Sequence, residues 1–170
     1  MDINEPTARS ILEAAHAAWN RQDIEAMLEW YHDDLTYFCN TGGSDGDALR
    51  LYGKADMRAF LTPVLKVADC ISVPCAFTYQ DGIGRAQIEV VLRHHETGHT
   101  LQGTYRQLLF YRDFKIQAVE EFHDAARMKA FWAMVQGPQS PISKSRTTVS
   151  MMLSEALKPQ PRFPPQPADE

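Results

Sequence analysis

Residues 70–95 read CISVPCAFTYQDGIGRAQIEVVLRHH and contain the clearest structural pattern in the chain. Apolar residues alternate on both sides of Asp81-Gly82, a dipeptide typical of a two-residue β-hairpin turn. Such a turn pairs residue 80 with 83, and the register continues with 77 opposite 86, 75 opposite 88 and 73 opposite 90. The apolar positions of the two strands then share one face. The stretch therefore predicts a long β-hairpin with one buried face.

Two further strands extend this hairpin. Thr97-Gly98 predicts another tight turn, which pairs residue 92 with 103 and 88 with 107. A three-residue loop at 112–114 leads into the last strand, KIQAVEEFH, and sets Tyr105 opposite Glu121 and Gln107 opposite Val119. Since side chains alternate along a strand, we expect these four residues to share the buried face.

Helical patterns flank the sheet. Apolar residues recur at helical spacing from Thr7, again over Ile24–Tyr31 behind the N-cap Asp23, and at about Lys54–Val67, where Pro63 should kink the helix or end it early. A last helix begins at Asp124. The predicted order is α-α-β-α-β-β-β-β-α. This is an α+β fold: a curved antiparallel sheet with three N-terminal helices packed on one face, and a C-terminal helix.

Composition divides the chain into a domain and a tail. Of the 170 residues, 44% are hydrophobic and 23% charged, which suits one globular domain over residues 1–136. Seven of the ten prolines lie in residues 137–170. We expect this Pro-rich C-terminal tail to be extended or partly disordered.

The same composition excludes several classes of function. A net charge of -5 argues against nucleic-acid binding, and the chain contains no apolar run long enough to cross a membrane. The N-terminus lacks the features of a signal peptide, so we expect a cytoplasmic protein. Its three cysteines form no CxxC pair, and no HExxH or Cys/His pattern predicts a metal site. We expect neither a metal nor a redox cofactor.

Three stretches together resemble one known family. AWNRQDIEAMLEWYHDDLTY (18–37), LYGKADMRAFL (51–61) and FYRDFKIQAVEEFHD (110–124) are similar to the SnoaL-like branch of the nuclear-transport-factor-2-like superfamily, in its order and spacing. The resemblance implies a cone-shaped sheet closed by helices around an apolar pocket, and commonly a homodimer. It is weak for activity, because the fold is found in cyclases, isomerases, hydrolases, dehydratases and non-enzymatic modules.

The resemblance also assigns positions. Cys39 and Ala15 stand where ketosteroid isomerases have an aspartate base and an oxyanion-binding tyrosine, so steroid isomerisation is not expected. Tyr37 and Glu121 match the tyrosine and the last-strand aspartate of limonene-epoxide-hydrolase-like relatives, whose asparagine Cys39 replaces. Asn20 stands where dehydratase-like relatives have a helix aspartate.

Three residues are the candidate catalytic groups. Glu121 should point into the apolar pocket, where lost hydration raises the pKa of a carboxyl and suits a general acid or base. The alternatives are that Glu120 points inward instead, or that Glu121 pairs with Arg106. His123 lies on the same face and either shares a proton with Glu121 or bonds the backbone near the strand end. Tyr37 offers a phenol donor, or packs simply as pocket wall.

The remaining candidates would contact a ligand. Cys39 faces the same way as Tyr37, and without a basic neighbour in the local sequence we interpret it as a small buried hydrophobe. Tyr105 and Gln107 add polar atoms that orient a ligand or each other. Other expected pocket residues are Val119, Trp19 and Phe60.

These observations lead to two functional hypotheses. The first is an apolar pocket for a small organic molecule, in a cofactor-independent isomerase, cyclase or hydrolase that uses acid/base chemistry. The second is a non-catalytic ligand-binding or protein-interaction module. Apolar residues on the outer sheet face (Val91, Leu108, Phe110, Phe122) predict a homodimer through that face, with the tail running along the partner subunit. The alternative is a monomer in which the final helix or the tail folds back over its own subunit.

Overall fold

The computed structural model describes residues 3–42 and 47–135. Its elements follow one another along the chain as α1 (Glu5–Asn20), α2 (Ile24–Leu28), β1 (Tyr31–Cys39), β2 (Leu49–Tyr52), α3 (Gly53–Val67), β3 (Ala68–Gln80), β4 (Ile83–His94), β5 (Thr100–Arg112), β6 (Lys115–Phe122) and α4 (Ala125–Val135). The predicted α+β fold is confirmed, with the short strand β2 as an addition. The predicted tail, 137–170, lies outside the described residues.

The six strands form one curved, unclosed sheet in the order β2-β1-β6-β5-β4-β3. Neighbouring strands are antiparallel except for β1 and β6, which are parallel, so the sheet is not wholly antiparallel as expected. The sequence prediction rested on tight turns, which fix only the directions of consecutive strands. Because β1 and β6 lie far apart in the chain, no turn determines their relative direction.

A β-bulge interrupts the central hairpin. Gln80 pairs with Ile83 and Phe77 with Ala86 as predicted, but the register shifts between Pro74 and Ala76, so Ser72 rather than Val73 pairs with Val90. The extra residue reverses which side chains face inward over the first part of β3. Cys70 and Ser72 are buried, whereas Ile71, Val73 and Cys75 are exposed, contrary to the predicted alternation.

The other two hairpins differ from their predicted register by two residues. Ile88 pairs with Tyr105, and Gln107 pairs with Glu121. The β5–β6 connection is a two-residue turn at Asp113-Phe114, with φ angles of 49° and 57°, instead of the predicted three-residue loop. A shift of two residues keeps every side chain on its predicted face. Tyr105, Gln107 and Glu121 therefore face inward together as expected.

Polar caps fix the starts of the first two helices. Asn4 accepts a hydrogen bond from the Thr7 amide at the start of α1, and Asp23 accepts one from the Ala26 amide at the start of α2. Helix α3 continues through Pro63 to Val67, the predicted end of the helical pattern, so of the two expected effects of Pro63 the early end does not occur. Its packed face, which includes the buried Met57 and Phe60, offsets the roughly 3 kcal/mol that an interior proline costs. No helix in the described part of the chain is long and apolar enough to span a membrane.

Candidate functional site

The helices cover the inner face of the sheet and leave a cavity of about 140 Å³. This volume is close to the roughly 150 Å³ of an engineered apolar cavity that binds benzene. The predicted site residues that line it are Trp19, Tyr37, Cys39, Phe60, Tyr105, Gln107, Glu121 and His123. Val119, the remaining expected contact, is buried in the core at 1% exposure and is not among the lining residues.

The carboxylate of Glu121 is the centre of a polar cluster in this cavity. Its Oε2 accepts hydrogen bonds from the Tyr37 hydroxyl at 2.7 Å and from His123 Nε2 at 3.1 Å. Its Oε1 accepts one from Gln107 Nε2 at 2.7 Å. Only 14% of the Glu121 side chain is exposed, and Arg106 is exposed on the opposite face of β5. Glu121 thus pairs with His123 and not with Arg106.

The environment makes Glu121 and His123 an ion pair. Burial alone would raise the pKa of Glu121, but hydrogen bonds from His123, Gln107 and Tyr37 more than offset burial and hold it below its ordinary value. Burial likewise favours neutral His123, yet its interactions with Cys39 and Glu121 raise its pKa to about 10. The expectation of a raised Glu121 pKa considered burial alone and is wrong in direction.

Two phenols belong to the cluster: Tyr37, which donates to Glu121, and Tyr105, which lines the same cavity. Burial, with the Glu121 charge second, raises the pKa values of both Tyr37 and Tyr105 well above the ordinary tyrosine value. Both hydroxyls therefore keep their protons at neutral pH. The Tyr105 ring also stacks on the His123 imidazole, with 4.1 Å between centroids and 19° between planes. This stacking holds the plane of the imidazole.

The parallel pairing of β1 and β6 places these groups together. Tyr37 lies beside Val119 and Cys39 beside Glu121 in the register. Asn40 then ties the end of β1 to His123: its Nδ2 donates to the His123 carbonyl at 3.0 Å, and its Oδ1 accepts from the His123 amide at 2.7 Å. The backbone thus fixes the ends of both strands, and the catalytic candidates extend from fixed positions.

Two further polar residues in the cavity, His16 and Ser72, were not predicted. His16 on α1 contacts Ser72 Oγ through Nδ1 at 2.7 Å and Gln107 Oε1 through Nε2 at 3.3 Å. Burial lowers the pKa of His16, against the opposing effects of Gln107, Glu121 and Ser72. Asn20 holds the backbone of Ser72 with two hydrogen bonds, of 2.8 Å and 2.9 Å. A polar chain therefore runs Ser72–His16–Gln107–Glu121 across the cavity wall.

The sequence contains a signal for both His16 and Ser72. His16 follows Leu12 by four residues and precedes Trp19 by three, so it lies on the apolar stripe of α1. Pro74, inside a predicted strand, is a signal for a bulge, and a bulge is what turns Ser72 inward.

Cys39 lies next to the ion pair rather than in purely apolar surroundings. Its Sγ, a ring nitrogen of His123 and a carboxylate oxygen of Glu121 all lie within 4.8 Å of one another. In the described residues this is the one group of His, Cys, Asp and Glu side chains arranged to hold a metal ion. His123 is the basic neighbour of Cys39 that the local sequence did not show.

A family model described as a SnoaL-like domain matches residues 12–116. This range includes α3 and most of the sheet, and the resemblance expected from the sequence is confirmed. No curated protein matches the chain in sequence.

Several solved structures share the fold. A candidate polyketide cyclase from Xanthomonas campestris pv. campestris is 21% identical, with a TM-score of 0.66 over 76% of this chain and 99% of that one. TerC, co-crystallised with polyporic acid, is 23% identical, with a TM-score of 0.66 over 75% and 98%. A candidate isomerase from Bacillus subtilis is 16% identical, with a TM-score of 0.68 over 77% and 96%. At these identities the likeness shows the fold alone.

Proposed function

Because the chain belongs to the SnoaL-like domain family, we propose that its cavity binds a small, largely apolar carbonyl compound and transfers protons to and from it. The observation that carries this proposal is the His123–Glu121 ion pair inside an apolar cavity. The cavity volume suits a ligand built on one ring. TerC, which has the same fold, was co-crystallised with polyporic acid.

The charges of the pair assign its roles. His123, with a pKa of about 10, is protonated at neutral pH and acts as the general acid toward the substrate oxygen. Glu121, whose pKa is lowered, is ionised and acts as the base toward a proton on the neighbouring carbon. Tyr37 and Gln107 orient the carboxylate through their hydrogen bonds. Proton removal and proton donation together give the enol shift that isomerases and cyclases use.

Deuterium exchange tests this chemistry before the natural substrate is known. Cyclohex-2-enone is incubated with the protein in D₂O, and proton NMR follows the loss of the signals of exchangeable carbon-bound protons. We expect catalysed exchange, and Glu121→Gln and His123→Gln should each slow it by roughly 100-fold or more. Cys75→Ser, on the exposed bulge, is the matched control and should exchange like the unchanged protein. Exchange no faster than in protein-free buffer contradicts the proposal.

One observation favours a second function, non-catalytic ligand binding. Both oxygens of Glu121 already accept hydrogen bonds from protein donors, an arrangement typical of a satisfied structural network. Native mass spectrometry of freshly purified protein tests this alternative. A retained small molecule together with no deuterium exchange would favour the binding module over the enzyme.

We also propose that two copies associate through the outer sheet face. Ile71, Val73 and Phe122 are 42%, 49% and 40% exposed there, beside the partly buried Val91, Leu108 and Phe110. An apolar sheet face of this kind is suited to the same face of a second copy.

The three cysteines are free thiols, which supports the expected cytoplasmic location.

A further inference from the structure

The polar chain Ser72–His16–Gln107–Glu121 has a direction that its donors and acceptors determine. The ionised carboxylate of Glu121 only accepts hydrogen bonds, so the Gln107 amide nitrogen must face it, at 2.7 Å. The Gln107 carbonyl oxygen consequently faces His16 Nε2, at 3.3 Å. An oxygen acceptor at that position requires the proton of His16 to be on Nε2.

The protonation of His16 then decides the role of Ser72. Burial lowers the pKa of His16, so the ring is neutral at neutral pH and carries one proton, on Nε2. Its Nδ1 is an acceptor, 2.7 Å from Ser72 Oγ. The Ser72 hydroxyl must therefore donate its own proton to His16, and only lone pairs remain on its oxygen.

Ser72 lies where a ligand would meet those lone pairs. The bulge at Cys75 turns its side chain inward, Asn20 fixes its backbone, and Ser72 lines the cavity. Because the hydroxyl proton is committed to His16, Ser72 can accept a hydrogen bond from a ligand but cannot donate one. The imidazole of His16 and the amide of Gln107 separate this acceptor from the Glu121–His123 pair.

We propose that the substrate is a hydroxylated carbonyl compound on a single ring, whose hydroxyl group donates to Ser72 while its carbonyl lies at His123 and Glu121. Ser72 is the specificity-determining residue, and His16 acts through it as a positioning residue. This inference rests on the proposed function for the carbonyl end only; the selection of a donor at Ser72 follows from the hydrogen-bond chain. A ligand with an acceptor at that end would meet an unpaired lone pair and be rejected.

Binding of two matched ligands to the full-length protein tests the selection. Cyclohex-2-enone and 4-hydroxycyclohex-2-enone differ by one hydroxyl group, and ligand-observed NMR gives both dissociation constants. We expect the hydroxylated compound to bind roughly threefold to tenfold more tightly, the gain of one neutral hydrogen bond. 4-Methoxycyclohex-2-enone, which cannot donate, should bind no more tightly than the unsubstituted ring.

Three variants separate this role from a structural one. Ser72→Ala should abolish the preference for the hydroxyl group, since it removes the acceptor. His16→Leu frees the Ser72 proton, so the hydroxyl group can donate as well as accept, and the methoxy compound should gain affinity. Ser10→Ala, an exposed serine on the same helix as His16, is the control and should keep the preference. Melting temperatures of all three confirm that they are folded.

The outcomes distinguish this inference from the proposed function. Equal affinities in the unchanged protein, or a preference that survives Ser72→Ala, overturn the role of Ser72 even if the ketone exchanges deuterium. Absence of exchange with the hydroxyl preference intact overturns the acid/base chemistry and leaves the selection at Ser72 standing. Failure of both compounds to bind overturns both.

Discussion

His123 and Glu121 each stabilise the charged form of the other, and this makes the stability of the protein depend on pH. Against the effect of burial, Cys39 and Glu121 raise the pKa of His123 from 6.5 to about 10 on folding. The stability that protonated His123 contributes is fully present below pH 6.5 and is lost as the pH rises through about 10. Glu121 has the corresponding effect at acidic pH, because its pKa is lowered on folding. The stability that its carboxylate contributes is present above pH 4.5 and is lost as the pH falls through the folded-state pKa.

We therefore predict that the melting temperature falls between pH 7 and pH 9 and that His123→Gln reduces this fall. Differential scanning calorimetry at half-unit steps measures both slopes. Tyr37 and Tyr105 do not interfere, because their raised pKa values place their ionisation above this range. His95→Gln, which alters an exposed histidine paired with Asp69, is the control and should keep the slope of the unchanged protein. Equal slopes in His123→Gln and the unchanged protein would contradict the ion pair.

The residues of the ion pair were predictable, but their charges were not. Strand alternation alone placed Glu121 and His123 on the inner face, and the structure has them there. The direction of the Glu121 pKa shift depends on three donors: His123, two residues away, Gln107 on β5 and Tyr37 on β1. The sequence indicated contact with His123 as one alternative, but the hydrogen bonds from Gln107 and Tyr37 join residues on separate strands and leave no pattern in the local sequence.

The bulge in β3 determines which of two cysteines, Cys70 or Cys75, is exposed to solvent. A regular hairpin would bury Cys75 and turn Cys70 outward, whereas the bulged strand buries Cys70 and exposes Cys75. Burial also raises the pKa of the Cys70 thiol to about 12, so little reactive thiolate is present. We predict that a thiol reagent labels Cys75 rapidly in the native protein and leaves Cys70 unmodified.

Peptide mass spectrometry after brief labelling with iodoacetamide identifies the modified cysteine. Labelling in denaturant is the control, since all three thiols should then react. Rapid labelling of Cys70 in the native protein, with Cys75 protected, would contradict the bulge. It would indicate a regular hairpin in which Ser72 does not face the cavity.

At the level of elements, the register was predicted correctly next to the Asp81-Gly82 turn and was two residues off in the other two hairpins. Asp81-Gly82 fixed the first pairs of β3 and β4 correctly, and the error began only at Pro74, where the strand bulges. A proline has no backbone N–H for the strand ladder, so it marks the place of irregularity but not the number of residues inserted. Helix α3 shows the opposite case, because its packing outweighs the effect of Pro63.

The outer face of the whole sheet carries the prediction about assembly. Light scattering of the full-length protein at micromolar concentration should give the mass of a dimer, and Val73→Lys should shift it toward the monomer. Phe114→Lys is the matched control: Phe114 is similarly exposed, at 46%, but lies at the β5–β6 turn away from this face. A full-length monomer contradicts the dimer.

The bulge also explains why the sequence analysis predicted too few apolar residues on the outer sheet face. The regular alternation assigned Ile71 and Val73 to the core, and the extra residue at Cys75 moves both to the outer face. One inserted residue thus supplies the cavity with Ser72 and the outer face with two β-branched side chains. The pattern of the chain gives the number of apolar residues in a strand, but the face they occupy depends on the register.

The pairing of β1 with β6 has a consequence for how the protein is made. Tyr37 and Glu121, which form a hydrogen bond, lie 84 positions apart in the chain, so β1 has no partner on that edge until β6 has been translated. At about 5 to 20 residues per second, the ribosome needs roughly 4 to 17 seconds to add that length. During this interval the backbone groups of β1 that pair with β6 are unpaired on the nascent chain. The candidate site is therefore assembled late in synthesis, and a chain that stops before β6 leaves this edge of β1 open to chaperones and to pairing with other chains.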